Sequence, residues 1–260
     1  MAYETLLLDR RPPILTIAVN RPGALNALNR QVFEEMLRAL AADAADAETR
    51  VVVLTGAGER AFVAGADIKE MADLTRAQAE ARSWRGMHVY DAMRHHPKPI
   101  VASINGFALG GGLLIALACD IRIAADTAEF GYPEIGLGIF PGTGGTVLLN
   151  RLIGPAAARA ICLLGERFDA ARALSLGLVN QVVAKAELPA ATRAACARLA
   201  GYSPLTLREL KRALNAALEE DFDAARATEV EAYGRCFDSE DRREGMLAFI
   251  EKRPPVFRGC

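Results

Sequence analysis

The sequence predicts an α/β protein with mostly parallel strands, and three observations carry that prediction. Short β-rich runs near residues 51, 100, 121 and 179 alternate with stretches of helical spacing, the rhythm of strand–helix units. The run Val51–Leu54 is apolar at every position, as a strand buried on both faces is. The chain of 260 residues is 52% hydrophobic and 24% charged, so it can enclose a large core and is too apolar to be disordered.

In order along the chain, Thr5 to Leu8 and Ile14 to Val19 are β-rich and joined across Asp9-Arg10-Arg11-Pro12-Pro13, which predicts a hairpin. Asn20-Arg21-Pro22-Gly23 breaks the chain. From Asn29, a fitting N-cap, Val32, Phe33, Met36, Leu37 and Leu40 recur at helical spacing. Thr55-Gly56-Ala57-Gly58-Glu59-Arg60-Ala61 matches a loose dinucleotide pattern, but that fingerprint needs a helix starting within the glycines. The extended run Ala61 to Asp67 follows instead, so a surface turn is expected. A helix over Arg76 to Met93 ends at His95-His96-Pro97-Lys98-Pro99. Pro99 to Ile104 is read as a strand that enters a glycine-rich turn and then an apolar helix running to Asp120. Ile121 to Ala124 is a further strand, and Phe130-Gly131-Tyr132-Pro133-Glu134 leads into a glycine-dense loop over Gly136 to Gly145. Helices are expected around Thr146 to Leu152 and Pro155 to Leu164, with a last strand at Leu178 to Val183.

Beyond about Leu188 the glycines thin out and the pattern is helical throughout, with Leu207, Leu210, Leu214 and Leu218 on one such stretch. Two units are therefore expected, an α/β core over 1–190 and a helical segment over 191–260. The latter has apolar faces to bury, a common basis for oligomerisation.

Composition excludes several functions. The net charge of −1 gives no general pull towards nucleic acid or an anionic membrane, so any anionic ligand needs a few local cations. Pro99 to Cys119 carries no charge, but Pro99, Ser103, Asn105 and bunched glycines fit a buried strand–turn–helix better than a membrane span. The five cysteines are scattered, odd in number and without Cys-x-x-Cys spacing, which argues against disulfides and zinc. No basic segment leads into an apolar run at the start, so a cytoplasmic location is expected. There is no G-x-S-x-G elbow, P-loop or H-E-x-x-H, and no metal box of Asp, Glu and His. His88, His95 and His96 are expected in satisfied or solvated surface roles, the last two in a polar connection beside Pro97.

Two features hold potential chemistry. Gly110-Gly111-Gly112 stands where a helix begins, and a helix start presents unpaired N–H groups and the positive end of its dipole. Such a turn either stabilises an oxygen that is gaining negative charge or only allows tight strand–helix packing, and this stretch alone leaves both open. Glu134 follows a proline and precedes an apolar loop at the edge of the core. Desolvation there raises a carboxylate's pKa, as a general base requires, although ion pairs also place acids at such edges.

These motifs resemble the crotonase superfamily, the enoyl-CoA hydratase/isomerase family. The matching runs are Asn20-Arg21-Pro22 with Ala24-Leu25-Asn26-Ala27-Leu28, and Ala61-Phe62 with Ala64-Gly65-Ala66-Asp67-Ile68-Lys69. They continue with Asn105 to Gly112, Phe130 to Glu134, Pro141-Gly142-Thr143-Gly144-Gly145, and Glu244 to Arg253. The resemblance runs over essentially the whole chain. It implies a spiral of β-β-α turns, with a C-terminal helical segment forming trimers that often pair into hexamers. It implies an acyl-CoA ligand whose thioester enolate is stabilised, with the CoA as part of the substrate and no separate cofactor or metal. The N–H groups of Ala66 and Gly111 would form the oxyanion hole, each donor contributing about 3 kcal/mol, and Glu134 would be the base. Backbone around Ala24, Leu25, Ala64, Ala66 and Ile68 would hold adenine and pantetheine, with Asp67 also at the CoA site and Lys69 and Lys252 as phosphate partners. Phe249 would shape the acyl or adenine pocket, its own or a neighbouring subunit's.

The chain departs from the family pattern at one place. Two-glutamate hydratases of the family carry an acid in the helix after the triple glycine, where this chain has Leu114. Hydration is easiest with two groups around a water, whereas moving a double bond needs one base that returns its proton elsewhere. Isomerisation of 3-enoyl-CoA to 2-enoyl-CoA is therefore the expectation. Hydratase or hydratase-lyase chemistry is the alternative, for which Gly142, whose family counterpart positions a water, speaks. A non-catalytic acyl-CoA-binding or RNA-binding protein is the alternative of another class. Tyr132 is an unassigned candidate proton donor.

Overall fold

The structure, a computed structural model, describes residues 3–260. Leu6–Arg11 (β1) and Ile14–Val19 (β2) form the expected antiparallel hairpin, in register from Leu6 opposite Val19 to Arg11 opposite Ile14. Alternate residues of β2, namely Leu15, Ile17 and Val19, face the core. Asn29 caps the helix Arg30–Ala44 (α1), its side chain accepting from Val32 N–H at 3.0 Å.

From there the chain repeats one unit. Val51–Gly56 (β3) is followed by Ala61–Val63 (β4) and the helices Ile68–Met71 (α2) and Arg76–Arg94 (α3), the latter opened by a Thr75–Gln78 capping box. Ile100–Ile104 (β5) is followed by Phe107–Leu109 (β6) and Gly111–Ala118 (α4). Ile121–Ala125 (β7) is followed by Glu129–Gly131 (β8), Gly145–Ile153 (α5) and Pro155–Leu164 (α6). The last unit, Arg167–Asp169 (β9), Ala170–Ser175 (α7) and Gln181–Val183 (β10), returns the chain to the first sheet. Each turn thus gives one strand to a six-stranded sheet, ordered β1-β2-β3-β5-β7-β10, and one to a four-stranded sheet, ordered β4-β6-β8-β9. Pairing is parallel except in β1–β2 and β8–β9. This is the β-β-α spiral.

The continuous apolar character of β3 has a direct cause. Val52 and Leu54 face the main core with α1, α3 and α4, while Val51 and Val53 face a second core closed by Leu188 and Cys196 of Leu188–Ala200 (α8). The expected boundary at 190/191 therefore falls inside a helix that packs on the large sheet. The purely helical segment comprises Pro204–Glu219 (α9), Phe222–Asp238 (α10) and Glu240–Glu251 (α11). Phe222, Val230, Tyr233, Phe249 and Ile250 on these helices are exposed.

Three expectations are corrected. The strand beginning near Pro99 does not turn directly into the helix; after β5 the chain crosses at Asn105-Gly106 into β6 of the other sheet. Strands of three residues such as β4, β6, β8 and β9 are too short to show periodicity. The strand expected over Leu178 to Val183 pairs only from Gln181, because Leu178 is drawn into a turn where its carbonyl accepts from Arg122 Nε at 2.7 Å. The surface role expected for His96 is also corrected: it is buried, with Nε2 3.3 Å from Leu40 O and 3.6 Å from Asp43, because α1 packs over it, whereas His95 is exposed. Among the described residues no helix is long and apolar enough to cross a membrane.

Candidate active site

The helix α4 begins at the carboxyl end of β6, in a turn that only glycine fits. Gly110 sits at φ 52°, ψ −123°, its N–H donating to Gly131 O at 2.9 Å and so tying the turn to β8. A Cβ on Gly112 would lie 1.8 Å from Val63 O, so α4 packs hard against β4. The first i→i−4 bond of the helix runs from Leu114 N–H to Gly110 O. This leaves the Gly111 N–H, at the first position of the helix, without a partner among the described residues.

A second free donor stands at Ala66. Leu28 and Ala66 form an isolated parallel bridge in which Leu28 N–H donates to Gly65 O (2.8 Å) and Asp67 N–H donates to Leu28 O (2.9 Å). In a parallel bridge of this kind, the N–H of the central residue points away from the partner strand. The Ala66 N–H is therefore turned outward, and no described group accepts from it. The Leu25–Leu28 segment is held beside this strand by Asn26, which is buried at φ 59°. Its Nδ2 donates to Ala57 O and Ala61 O, and its Oδ1 accepts from Arg21 N–H.

Glu134 is delivered from the other side. It lies in a short 3-10 turn, Pro133–Leu137, which follows β8. Its carboxylate covers the open face of Gly110, where a Cβ would come within 2.5 Å of Oε1. Its Oε2 is buried without a hydrogen-bond partner. Desolvation pushes its pKa above the usual carboxylate range, opposed only by its own backbone N–H. Among the described residues no cation pairs with it.

These groups line one cavity of about 420 Å³. Ala66, Gly111, Leu114, Glu134 and Gly142, five of the residues expected from the sequence, come together on its wall. Leu114 is 1% exposed, so the place of a second acid is apolar. Gly142 faces the cavity, but its N–H donates to Phe140 O at 2.6 Å and its carbonyl accepts from Ser83 Oγ. Tyr132 is fully buried, its hydroxyl has no partner, and burial holds it strongly protonated.

Other expected residues lie outside the cavity lining. Ala64 N–H donates to Leu25 O, so Leu25 and Ala64 lie on the two segments that meet in the Leu28–Ala66 bridge, with Ala24 beside them. The Asp67 side chain is engaged structurally: it caps α2 and pairs with Arg21 at 2.9 Å, which holds its carboxyl below the usual range. Ile68 and Lys69 are exposed on α2. Phe249 and Lys252 belong to the end of α11, exposed and not on this cavity.

Sequence reasoning missed the wall supplied by α3. Arg82, Gly86 and Tyr90 recur every fourth residue, which places them on one helix face. Arg82 and Tyr90 line the cavity, and Gly86 leaves room for Thr143, whose Cγ2 would be 2.3 Å from a Cβ there. The four-residue spacing was the available signal.

Over residues 9–260 the chain matches the family described as Enoyl-CoA hydratase/isomerase. It belongs to that family, as an enzyme of the crotonase superfamily. It is 42% identical over 253 residues to the short-chain-enoyl-CoA hydratase of Clostridium acetobutylicum, covering 97% of each chain. It is 40% identical to the crotonyl-CoA hydratase of Syntrophomonas wolfei, covering 99% of each. Among solved structures, an enoyl-CoA hydratase from Bacillus anthracis superposes with a TM-score of 0.94 at 37% identity, covering 99% of this chain and 100% of that one.

Proposed function

We propose that this enzyme moves the double bond of an enoyl-CoA from C3–C4 to C2–C3, with Glu134 as its one base. The observation that carries this reading is the pairing of an unpartnered, desolvated Glu134 with a buried Leu114 in the same cavity. The substrate thioester oxygen accepts from Ala66 N–H and Gly111 N–H, aided by the N-terminal dipole of α4. Glu134 takes a proton from C2, which the carbonyl and the adjacent alkene acidify together. The resulting dienolate places its charge on the oxygen between the two donors. Glu134 then returns the proton to C4, leaving the double bond conjugated with the thioester. A base whose pKa is raised towards neutrality takes and returns a proton with little loss either way. The chemistry asks for no cofactor beyond the CoA that the substrate carries.

In this reading Ala24, Leu25, Ala64 and Ile68 hold the CoA along the two segments that meet in the Leu28–Ala66 bridge, Lys69 meets a phosphate, and Lys252 and Phe249 reach a CoA across an oligomer interface. The exposed apolar faces of α10 and α11 support a trimer or a dimer of trimers, and a cytoplasmic setting is part of the same proposal.

Hydration is the second reading, favoured by the names of the relatives. One experiment separates them. The enzyme is incubated with 3-enoyl-CoA and, separately, 2-enoyl-CoA in deuterated water, alongside Glu134→Gln. Interconversion with deuterium at C2 or C4 and no 3-hydroxyacyl-CoA supports isomerisation, and the variant should lose about 1,000-fold in rate. Accumulation of 3-hydroxyacyl-CoA transfers the assignment to hydration. Absence of exchange with any acyl-CoA leaves an acyl-CoA-binding protein.

A further inference from the structure

The cavity that holds Glu134 also holds a cation with no ion-pair partner among the described residues. Arg82 lines it from α3, among apolar neighbours that include Leu28, Phe33 and Leu114. Its Nε is buried without any hydrogen-bond partner. Its single hydrogen bond among the described residues is a long one, from Nη2 to Leu28 O at 3.4 Å, and its guanidinium lies 5.6 Å from the Phe33 ring centroid. Desolvation depresses its pKa, so the surroundings work against the charge it carries.

The charged groups around Arg82 are committed elsewhere. Asp67 is bonded to Arg21 at 2.9 Å, and Glu70 accepts from Arg30 N–H with both oxygens at 3.1 Å. Glu80, at the cavity rim, pairs with Arg76 at 2.8 Å. Arg85 adds a like charge. Glu134 does not take the role either: its Oε2 and the Arg82 Nε are each buried without a hydrogen-bond partner. A desolvated guanidinium facing a ligand cavity, with open donors and no carboxylate of its own, is costly to maintain for packing alone. Its planar fork suits a carboxylate with two oxygens.

Its placement says which part of a ligand would supply that group. Tyr90 and Arg82 share one face of α3, two turns or about 12 Å apart. The Tyr90 hydroxyl is 3.8 Å from where a Gly111 Cβ would stand, so Tyr90 marks the reacting end of the cavity, and the Arg82 guanidinium reaches the cavity wall against Leu28 O and the Phe33 ring. We infer that the acyl group of the substrate carries a carboxylate, and that Arg82 binds it. The inference rests on the acyl-CoA reading of the site and not on the choice between isomerisation and hydration.

Binding of saturated thioesters tests it without turnover. Dissociation constants are measured by calorimetry for matched pairs of equal length: butanoyl- and succinyl-CoA, pentanoyl- and glutaryl-CoA, hexanoyl- and adipyl-CoA. In at least one pair the carboxylate-ended thioester should bind about 30-fold more tightly than its methyl-ended match, the range of a charge-assisted hydrogen-bonded contact. Arg82→Leu should abolish that preference and leave the methyl-ended affinities within about 2-fold, while Arg82→Lys keeps part of it. Should the leucine variant fail to fold, Arg82→Gln keeps much of the stem and loses the charge. Equal affinity within every pair for the unmodified protein overturns the inference. So does an equal loss in both members on substitution, which would mean that Arg82 holds the CoA moiety or the scaffold. Failure of all six thioesters to bind is a separate result that removes the acyl-CoA reading itself.

Discussion

At the N-terminal end of α4 the Glu134 carboxylate lies over Gly110 with one oxygen unpartnered, and the Gly111 N–H has no acceptor among the described residues. At the C-terminal end of the same helix Asp120 accepts from Ile100 N–H at 2.7 Å and from Lys211 Nζ at 2.8 Å. Lys211, reaching in from α9, also donates to Met93 O and Lys98 O, which fills all three of its donors. Both ends bury charge. One end satisfies it and the other leaves it waiting, and that contrast distinguishes a group that holds the fold from one that meets a ligand.

The largest effect is expected where the charge is satisfied. Lys211→Met would strand the part-buried Asp120 together with the buried Met93 carbonyl and the part-buried Lys98 carbonyl, and breaking such a pair from one side costs about 3 kcal/mol, the low end for buried pairs. In a chain of this length that corresponds to a thermal midpoint lower by roughly 10 °C. Turnover by the folded enzyme, assayed well below the transition, should stay unchanged. A Lys211→Met enzyme that keeps its midpoint but loses activity would invert the assignment of the two ends.

A smaller effect is expected at the waiting end. Gly110→Ala forces a side chain into a backbone of positive φ and sets a methyl group 2.5 Å from the present position of Glu134 Oε1. The carboxylate must move, and a displacement of about 1 Å in a reacting group costs roughly 100-fold in rate. Acyl-CoA affinity should change far less, because Gly110 presents no donor to the cavity: its N–H is spent on Gly131. A Gly110→Ala enzyme with unimpaired kcat would show that Glu134 is not held where the chemistry needs it.

The two ends also differ in how far the sequence revealed them. The triple glycine, the Pro-Glu step and Leu114 are contiguous signals, and they brought Gly111, Glu134 and Leu114 to one cavity as expected. The alternation of apolar runs likewise exposed the strands of the large sheet. The small sheet stayed hidden because its strands are three residues long and periodicity needs more. The clamp of Lys211 on Asp120 stayed hidden because it joins positions 91 residues apart, and nothing local in an amphipathic helix marks one lysine as buried. Arg82 was hidden in the same way. Its isolation follows from where Asp67, Glu70 and Glu80 spend their charges, and only the folded chain shows that.

The smallest effect, in pH, tests whether the waiting carboxylate is as exposed to its surroundings as its geometry says. Glu134 has a folded pKa above its unfolded one, so between those values the folded state binds more protons than the unfolded state. Stability contributed by this group is therefore greatest at low pH and declines as pH rises through that window. Glu134→Gln carries no such charge, so its thermal midpoint should exceed that of the parent enzyme above the window, by on the order of 2 °C, and the two should converge below it. The same ionisation governs catalysis in the opposite sense. The base must be deprotonated, so kcat/KM should fall on the acidic side at a pH above the usual carboxylate range. Displacement of the two profiles in opposite directions across one pH window would tie the unpartnered oxygen to both. A midpoint difference that does not vary with pH would mean that Glu134 gains a partner in solution, and the contrast between the two ends of α4 would then be lost.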